Sequence, residues 1–294
     1  FSDDGRGVQS ESLMREAMMQ CRRLGKILAA HCEDNSLLHG GYIHDGAYAR
    51  AHGHRGICSE SEWGPIARDL RLAEETGCAY HVCHVSTKES VALIRAAKRR
   101  GVDVTCETAP HYLTFTDRDA RRCGAVMKTY PLIRTAADRQ EVWQGLADGI
   151  LDWVCSDHAP HTCEEKHRSF WDAPAGISGI EGLSPVLLTA VHRGLLTLPR
   201  VAAITSANAA RTFGLYPRKG VIRPGADAAL AIVDMSAAYT FRQEKMYSKA
   251  KWSPYDGMSF QGRVAETILR GRTTMRDGQV LPDCFGQFLP VCTK

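Results

Sequence analysis

An aspartate or a histidine stands at each of four places that read as the end of a strand: Asp4 in FSDDG, His31 in KILAAHCED, His84 in CAYHVCHVS and Asp157 in ILDWVCSDH. Carboxylate oxygens and imidazole nitrogens are donors that suit zinc and similar borderline cations. Where these strands are neighbours, the four groups converge and can hold a divalent ion. Asp4 has two oxygens and can bridge a pair of ions about 3.5–4 Å apart, which would activate a shared water. Each group also has a plainer duty. A lone histidine at a strand end is more often a hydrogen-bonded structural group. His81 and His84 lie three apart, so on a strand they face opposite sides and only one points inward. Asp157 can cap the turn that follows it. Asp3 and Asp4 together can form an Asx turn. Spacing alone leaves these alternatives open.

The runs alternate with helical patterns that must position them. Residues 11–25 carry apolar groups at 13, 14, 17, 18, 21 and 24, one face of a helix that Gly25 can stop. Residues 59–76 give a second amphipathic helix, with Ser59 as cap and Gly77 after it. Ser86 and Glu89 have the spacing of a capping box for a helix over 87–100, ended by Gly101. VDVTCETAPHYL reads as a strand throughout. Further helices are expected over 138–148, 180–195 and 198–213. This alternation predicts an α/β fold with a parallel sheet and crossover helices. About five β/α units are visible, each strand ending in polar chemistry, as at the catalytic rim of a (β/α)8 TIM barrel. A doubly wound sheet would gather its site at one switch point instead. A whole barrel takes roughly 250 residues, so five units make a partial one. After residue 216 the pattern changes. KGVIRPGADAALAIVD and VAETILRGRTTMRDGQV, with a turn near Asp277-Gly278, predict a small β-rich subdomain. The expected division is 1–216 and 217–294.

Composition narrows the function classes. With 294 residues, 44% of them hydrophobic and 24% charged, the chain can bury a core without staples. The net charge of +4 comes without a basic block, which argues against a nucleic-acid partner. No apolar run reaches membrane-spanning length. The eleven cysteines, an odd number with no C-x-x-C pair, sit mostly in apolar runs, as Cys32, Cys83, Cys106 and Cys155 do. That suits buried thiols in a reducing, cytoplasmic compartment. The opening residues Phe1 to Gly5 read as the end of a strand, so a piece of a longer protein is expected.

Taken in order, FSDDG, AHCEDN, HVCHVSTKESV, TAPHYL, SDHAPH, PAGISGIEG, NAARTFGL and GVIRPGADAAL resemble dihydroorotases of the bacterial class I type, within the amidohydrolase superfamily. The resemblance runs from residue 1 to about 280. It implies two zinc ions in the full-length family. Asp4 would be the bridging carboxylate, chosen over Asp3 by its spacing to His31. His31 and His84 would hold the second zinc, and Asp157 would ligate the first and act as general acid/base. His161, Tyr130, Ala175 and Gly176 would line the substrate, carbamoyl aspartate or dihydroorotate. An activated water would attack the ring amide carbonyl while Asp157 passes its proton to the leaving nitrogen.

The chain departs from the family in two places. The family opens with an HxH metal segment and a substrate-gripping arginine, and neither precedes FSDDG here. His52-Gly53-His54 has the HxH spacing but lies in a Gly- and Ala-rich stretch, as do His39 and His44 nearby. In KTYPLIR, Tyr130 stands where the family has a substrate-touching Asn, and Arg134 remains for an ion pair. The chain alone is therefore expected to be catalytically weak or dead, holding one zinc through Asp4, His31 and His84, or none. Two other functions compete. An allantoinase or hydantoinase would use a carboxylated lysine where Asp4 stands. A non-catalytic homologue would act as a partner of aspartate transcarbamoylase; a homo-oligomer is also compatible with the sequence.

Overall fold

The computed structural model describes residues 1–282 and 285–290. The chain forms two compact units. One is Phe1–Ile180 with Gln243–Pro254; the other is Glu181–Arg242 with Tyr255–Lys294. A boundary at 216/217 thus falls inside the second unit, and a short later segment returns to the first.

The first unit runs α1 (Glu11–Arg23), β1 (Leu28–Ala30), β2 (Ile43–His44), α2 (Ala47–Ala51), β3 (Gly56–Ile57), α3 (Glu60–Thr76), β4 (Tyr80–Val82), α4 (Lys88–Arg99), β5 (Val104–Thr108), α5 (Pro110–Thr114), α6 (Ala120–Cys123), α7 (Ala136–Asp148), β6 (Trp153–Val154) and α8 (Cys163–Lys166). Its main sheet is parallel in the order β1-β4-β5-β6. Ser2 bridges Ala29 in parallel, adding the end of one more strand beside β1. Five strand positions follow chain order, which matches the five expected units. β2 and β3 form a separate parallel pair.

Helices α1, α3, α4 and α7 pack on one another in turn along one face of the sheet. Alternation explains which side chains they cover. Leu28, Ala30, Tyr80, Val82, Val104, Cys106 and Val154 are buried on the helix side with Ile66, Leu70, Ile94 and Leu146. The other face carries Thr105 and Glu107, both half-buried. Among the described residues the parallel strands do not close into a barrel; their packing against α1, α3, α4 and α7 is that of successive β/α units.

Local chemistry sets the element ends. Ser10 caps α1, accepting from Leu13 N, and Gly77 ends α3 in the left-handed region at φ 65. Ser59 makes no side-chain cap. α4 is capped by Thr87, which accepts from Ser90 N, so the expected Ser86–Glu89 box does not form. Ser86 turns instead to Glu62. The run expected as a strand to Leu113 stops at Thr108, because Pro110 at the first helical turn starts α5.

The second unit holds α9 (Leu183–His192), α10 (Leu198–Ala202), a π-turn at Ala203–Ala207 and α11 (Asn208–Thr212). The single helix expected over 198–213 is present as one continuous stretch from Leu198 to Thr212, with the π-turn inside it. Strands β7 (Leu230–Thr240), β8 (Ser259–Leu269), β9 (Arg272–Arg276) and β10 (Gln279–Val280) form an antiparallel sheet in the order β10-β9-β8-β7. The expected turn at Asp277-Gly278 is present, with φ 50 and 81. α9 packs on β8, where Gly262 has φ +83 and any Cβ would sit 2.8 Å from the Cβ of Leu188.

Candidate metal centre

Parallel strands place their carboxyl ends together, and the polar residues gather there. A cavity of about 260 Å³ is lined by Asp4, His31, His84 and Asp157, with Ser2, Cys83, Glu107, Cys155, Ser156 and His158. All four residues singled out at strand ends therefore meet at one site. His31 Nδ1 and His84 Nε2 lie 3.0 Å apart. His31 Nε2 is 3.8 Å from Glu33 Oε2.

Asp3 serves the backbone, though not as the Asx turn expected of it, since among the described residues no bond to Gly5 N is made and its partners lie further along the chain. Its carboxylate accepts from the backbone of His31 at 2.8 Å and of Val8 at 3.0 Å, which pins the segment so that Asp4 faces the cavity. The expectation that only one of His81 and His84 can point inward fails. β4 ends at Val82, and His84 adopts φ 37, so strand alternation no longer governs it. His84 lines the cavity, and His81 approaches Glu107, which lines it too. Asp157 has φ 42. Two non-glycine residues held in the left-handed region at one site mark backbone strain concentrated where four donors converge.

The electrostatics suit ligation. Burial, then the neighbouring His31, lowers the His84 imidazole, keeping it neutral with a lone pair free. Its Nδ1 is buried without a hydrogen-bond partner. Burial acts to raise the Asp157 carboxyl, but His111, His84 and His31 outweigh it and hold it low, hence ionised. For His31, burial works downward, yet Glu33 and other acids raise it overall. With Zn–N bonds of about 2.0–2.1 Å, tetrahedral geometry separates two nitrogens by about 3.3–3.4 Å. The observed 3.0 Å is within a few tenths of an ångström of that. Two imidazoles and two carboxylates around one cavity are a donor set that fits a divalent zinc-like cation.

His111 escaped the sequence reading. It is fully buried on α5, its Nε2 lies 3.4 Å from Asp157 Oδ2, and neither ring nitrogen has a hydrogen-bond partner. The signal lay in Pro110, which starts a helix beside the strand end and turns His111 inward.

The segment 174–176 runs beside Asp157. His158 bridges Ile177 in parallel, and Ala159 N donates to Ile177 O at 3.1 Å. Gly176 has φ +138, and a Cβ there would meet Ala159 O at 2.4 Å, so no other residue fits. His161 Nε2 is 2.9 Å from Ala175 O. Lys166, also unforeseen, is wholly buried, with Nζ 3.0, 2.9 and 2.9 Å from the carbonyl oxygens of Lys128, Pro174 and Gly176; the ammonium form can donate to all three and the neutral amine to two. Tyr130 is not among the residues lining the cavity; its hydroxyl donates to Gly41 O at 3.2 Å. His52 follows α2 and stacks on Tyr48, while His54 bonds the Tyr42 hydroxyl, both apart from the cavity lining. Arg134 is buried with its Nη2 3.5 Å from Glu62, the ion pair expected of it.

Lys166 gives a pH signature. Burial, then the Lys128 cation, pushes its ammonium from 10.5 down to about 7. Between these values the unfolded chain binds a proton that the folded chain does not, so stability rises with pH across the window. The expected slope approaches 1.4 kcal/mol per pH unit. Urea unfolding at several pH values from 7 to 10 should show the wild type gaining on Lys166→Met; parallel curves would contradict it.

Nine cysteines among the described residues are free. Cys32 and Cys106 are buried as expected, whereas Cys83 and Cys155 are half-buried at the cavity. No helix among the described residues is long and apolar enough to cross a membrane.

Comparison with known proteins follows the same lines. The dihydro-orotase-like family model matches residues 1–90. The dihydroorotase of Bacillus licheniformis is 41% identical over 96% of this chain and 65% of its own length. That of Bacillus caldolyticus is 42% identical over 95% of this chain and 65% of its own. The chain thus spans about 65% of the length of these relatives. In structure, L-hydantoinase (dihydropyrimidinase) from Arthrobacter aurescens superposes with a TM-score of 0.86 at 32% identity, over 96% of this chain and 64% of that one. D-hydantoinase (dihydropyrimidinase) from a Thermus species gives 0.83 at 28%, over 93% and 62%. The chain is dihydroorotase-like in sequence over 96% of its length and has the α/β fold of the cyclic-amide amidohydrolases.

Proposed function

We propose that the cavity holds divalent zinc and serves the reversible cyclisation of N-carbamoyl-L-aspartate to (S)-dihydroorotate, a ring closure of pyrimidine biosynthesis. The observation that carries this reading is the convergence of Asp4, His31, His84 and Asp157 on one cavity, in a chain 41% identical to a dihydroorotase. These four residues would hold the metal. When bound, it supplies Lewis acidity that polarises the ring amide carbonyl and acidifies a water.

The chain's own groups do the rest. Ionised Asp157 takes the proton of the attacking water and delivers it to the ring nitrogen as the C–N bond breaks. His111, 3.4 Å away, keeps that carboxylate charged. His161, Tyr130, Ala175 and Gly176 are the proposed substrate contacts. The 175–176 backbone is fastened next to Asp157, and Tyr130 shares a loop with Lys128, whose carbonyl accepts from Gly176 N at 2.9 Å. Free thiols in number suit a cytoplasmic setting. Another copy of the chain or aspartate transcarbamoylase is the macromolecular partner this reading admits.

A hydantoinase-type activity is the second reading, favoured by the TM-score of 0.86 to L-hydantoinase and by the bulk of Tyr130. Substrate preference separates the two. The zinc-loaded chain is expected to hydrolyse dihydroorotate at least tenfold faster than hydantoin or allantoin. Slow turnover suffices, because the ratio decides; a preference for hydantoin would reverse the assignment.

A further inference from the structure

Pro174, Ala175 and Gly176 belong to no helix or strand, so side chains and neighbouring loops must hold them. Three carbonyl oxygens converge on one amine there. Lys166 Nζ lies 3.0 Å from Lys128 O and 2.9 Å from both Pro174 O and Gly176 O. A backbone bond reinforces the joint, Gly176 N donating to Lys128 O at 2.9 Å. The lysine is the last residue of α8, whose start is fixed by a capping box between Thr162 and Glu165.

Trp252 supplies the seat. It is 1% exposed, its ring centroid lies 5.2 Å from Lys166 Nζ, and its Nε1–H donates to His161 O at 2.7 Å. A cation over an indole face is attracted by the ring quadrupole. These two side chains therefore reach every backbone segment that carries a proposed substrate contact. Lys128 stands two residues before Tyr130, His161 is held directly, and the two remaining carbonyls flank Ala175. Lysine is seldom buried without a partner, because its amine must be desolvated. An apolar contact would hold the loops together without that penalty, but it would not fix their spacing. Acceptors at hydrogen-bond length around one nitrogen do. Lys166 is wholly buried and is not among the residues lining the cavity, so it acts through the backbone it holds.

We propose that Lys166 is a positioning residue for the substrate: seated on Trp252, its amine sets the spacing between the Lys128–Tyr130 loop and the Pro174–Gly176 backbone, and thereby how well the two grip a cyclic-amide ring. The identity of the substrate rests on the cyclic-amide reading; the clamp itself does not. A clamp that shapes the binding walls and leaves the metal ligands alone acts on affinity rather than on the chemical step. Its loss weakens ground-state and transition-state binding alike, which raises KM and leaves kcat unchanged.

Steady-state kinetics of the zinc-loaded chain with dihydroorotate is the test. Lys166→Met should raise KM by about tenfold or more, with kcat within about threefold of wild type and zinc affinity by chelator competition unaltered. Lys98→Met is the control for general loosening. Lys98 on α4 also bonds across segments, its Nζ donating to Ile150 O at 2.8 Å and to Asp152 Oδ2 at 2.6 Å, and its loss should leave KM at the wild-type value. A KM unmoved in Lys166→Met, one that rises equally in Lys98→Met, or a kcat that collapses together with zinc binding would each overturn the proposal. Should Lys166→Met not fold, Trp252→Leu removes the seat and the bond to His161, and the same rise in KM is required of it.

Residue-resolved hydrogen exchange separates the clamp from the reading it rests on. The Gly176 amide should exchange about tenfold faster or more in Lys166→Met, with the amides of α3 and α4 unchanged. Equal exchange in the two proteins would overturn the clamp. A wild-type chain that neither binds nor turns over dihydroorotate would refute the cyclic-amide reading instead, and the exchange result would then decide the clamp alone.

Discussion

Replacing Glu62 with alanine is expected to cost about 3–5 kcal/mol of stability and to loosen the strand end that carries His84. Glu62 lies on α3 and is 3% exposed. Its carboxylate accepts from Ser86 N at 3.0 Å, Thr87 N at 3.1 Å, Thr87 Oγ1 at 3.2 Å and Ser90 Oγ at 2.9 Å, and from the Ser86 hydroxyl. Arg134 Nη2 approaches at 3.5 Å. A buried carboxylate is tolerable only with such partners. Alanine would leave the amides of Ser86 and Thr87 and the buried Arg134 guanidinium uncompensated. These are the residues that turn the chain directly after His84. Glu62→Gln keeps the volume and part of the acceptor capacity, so its cost should be smaller. Urea denaturation of the three proteins measures the difference; a loss below 1 kcal/mol for alanine would refute the account.

The candidate site was partly legible because its four donors each stand where a strand is expected to end, and a parallel sheet brings those ends together. Spacing alone left Asp3 beside Asp4 and His81 beside His84 as alternatives, and the family resemblance selected Asp4, His31, His84 and Asp157. What stayed hidden depends on where strands stop. β4 is only three residues long, so alternation counted past Val82 gave the wrong relation between His81 and His84. VDVTCETAPHYL reads as one strand in sequence, whereas Pro110 begins a helix that buries His111 against Asp157. Ser86 and Glu89 matched a local capping pattern, yet the long-range carboxylate of Glu62 took Ser86. Tertiary partners of this kind lie 24 or more residues away and leave no periodic signal. The return of Gln243–Pro254 to the first unit leaves none either, since its composition resembles its surroundings.

Asp157→Asn is expected to abolish the proposed chemistry while leaving the fold intact. The position has φ 42, which strains most residues, but asparagine tolerates it about as well as aspartate. Backbone effects therefore do not confound this substitution, as they would for alanine. The amide retains size and loses charge and proton affinity. Two consequences follow from one change. As a general acid/base, the carboxylate accounts for about 10²–10⁴ in rate, and turnover of dihydroorotate should fall by about that factor at unchanged protein concentration. As a charged ligand candidate on the cavity wall, it also contributes to holding the cation, so zinc affinity by chelator competition should drop at least tenfold. His31→Asn should reproduce the loss of affinity, because both line one cavity. An Asp157→Asn chain that keeps wild-type zinc affinity would place the ion away from this carboxylate. One that turns over within tenfold of wild type would remove Asp157 from proton transfer.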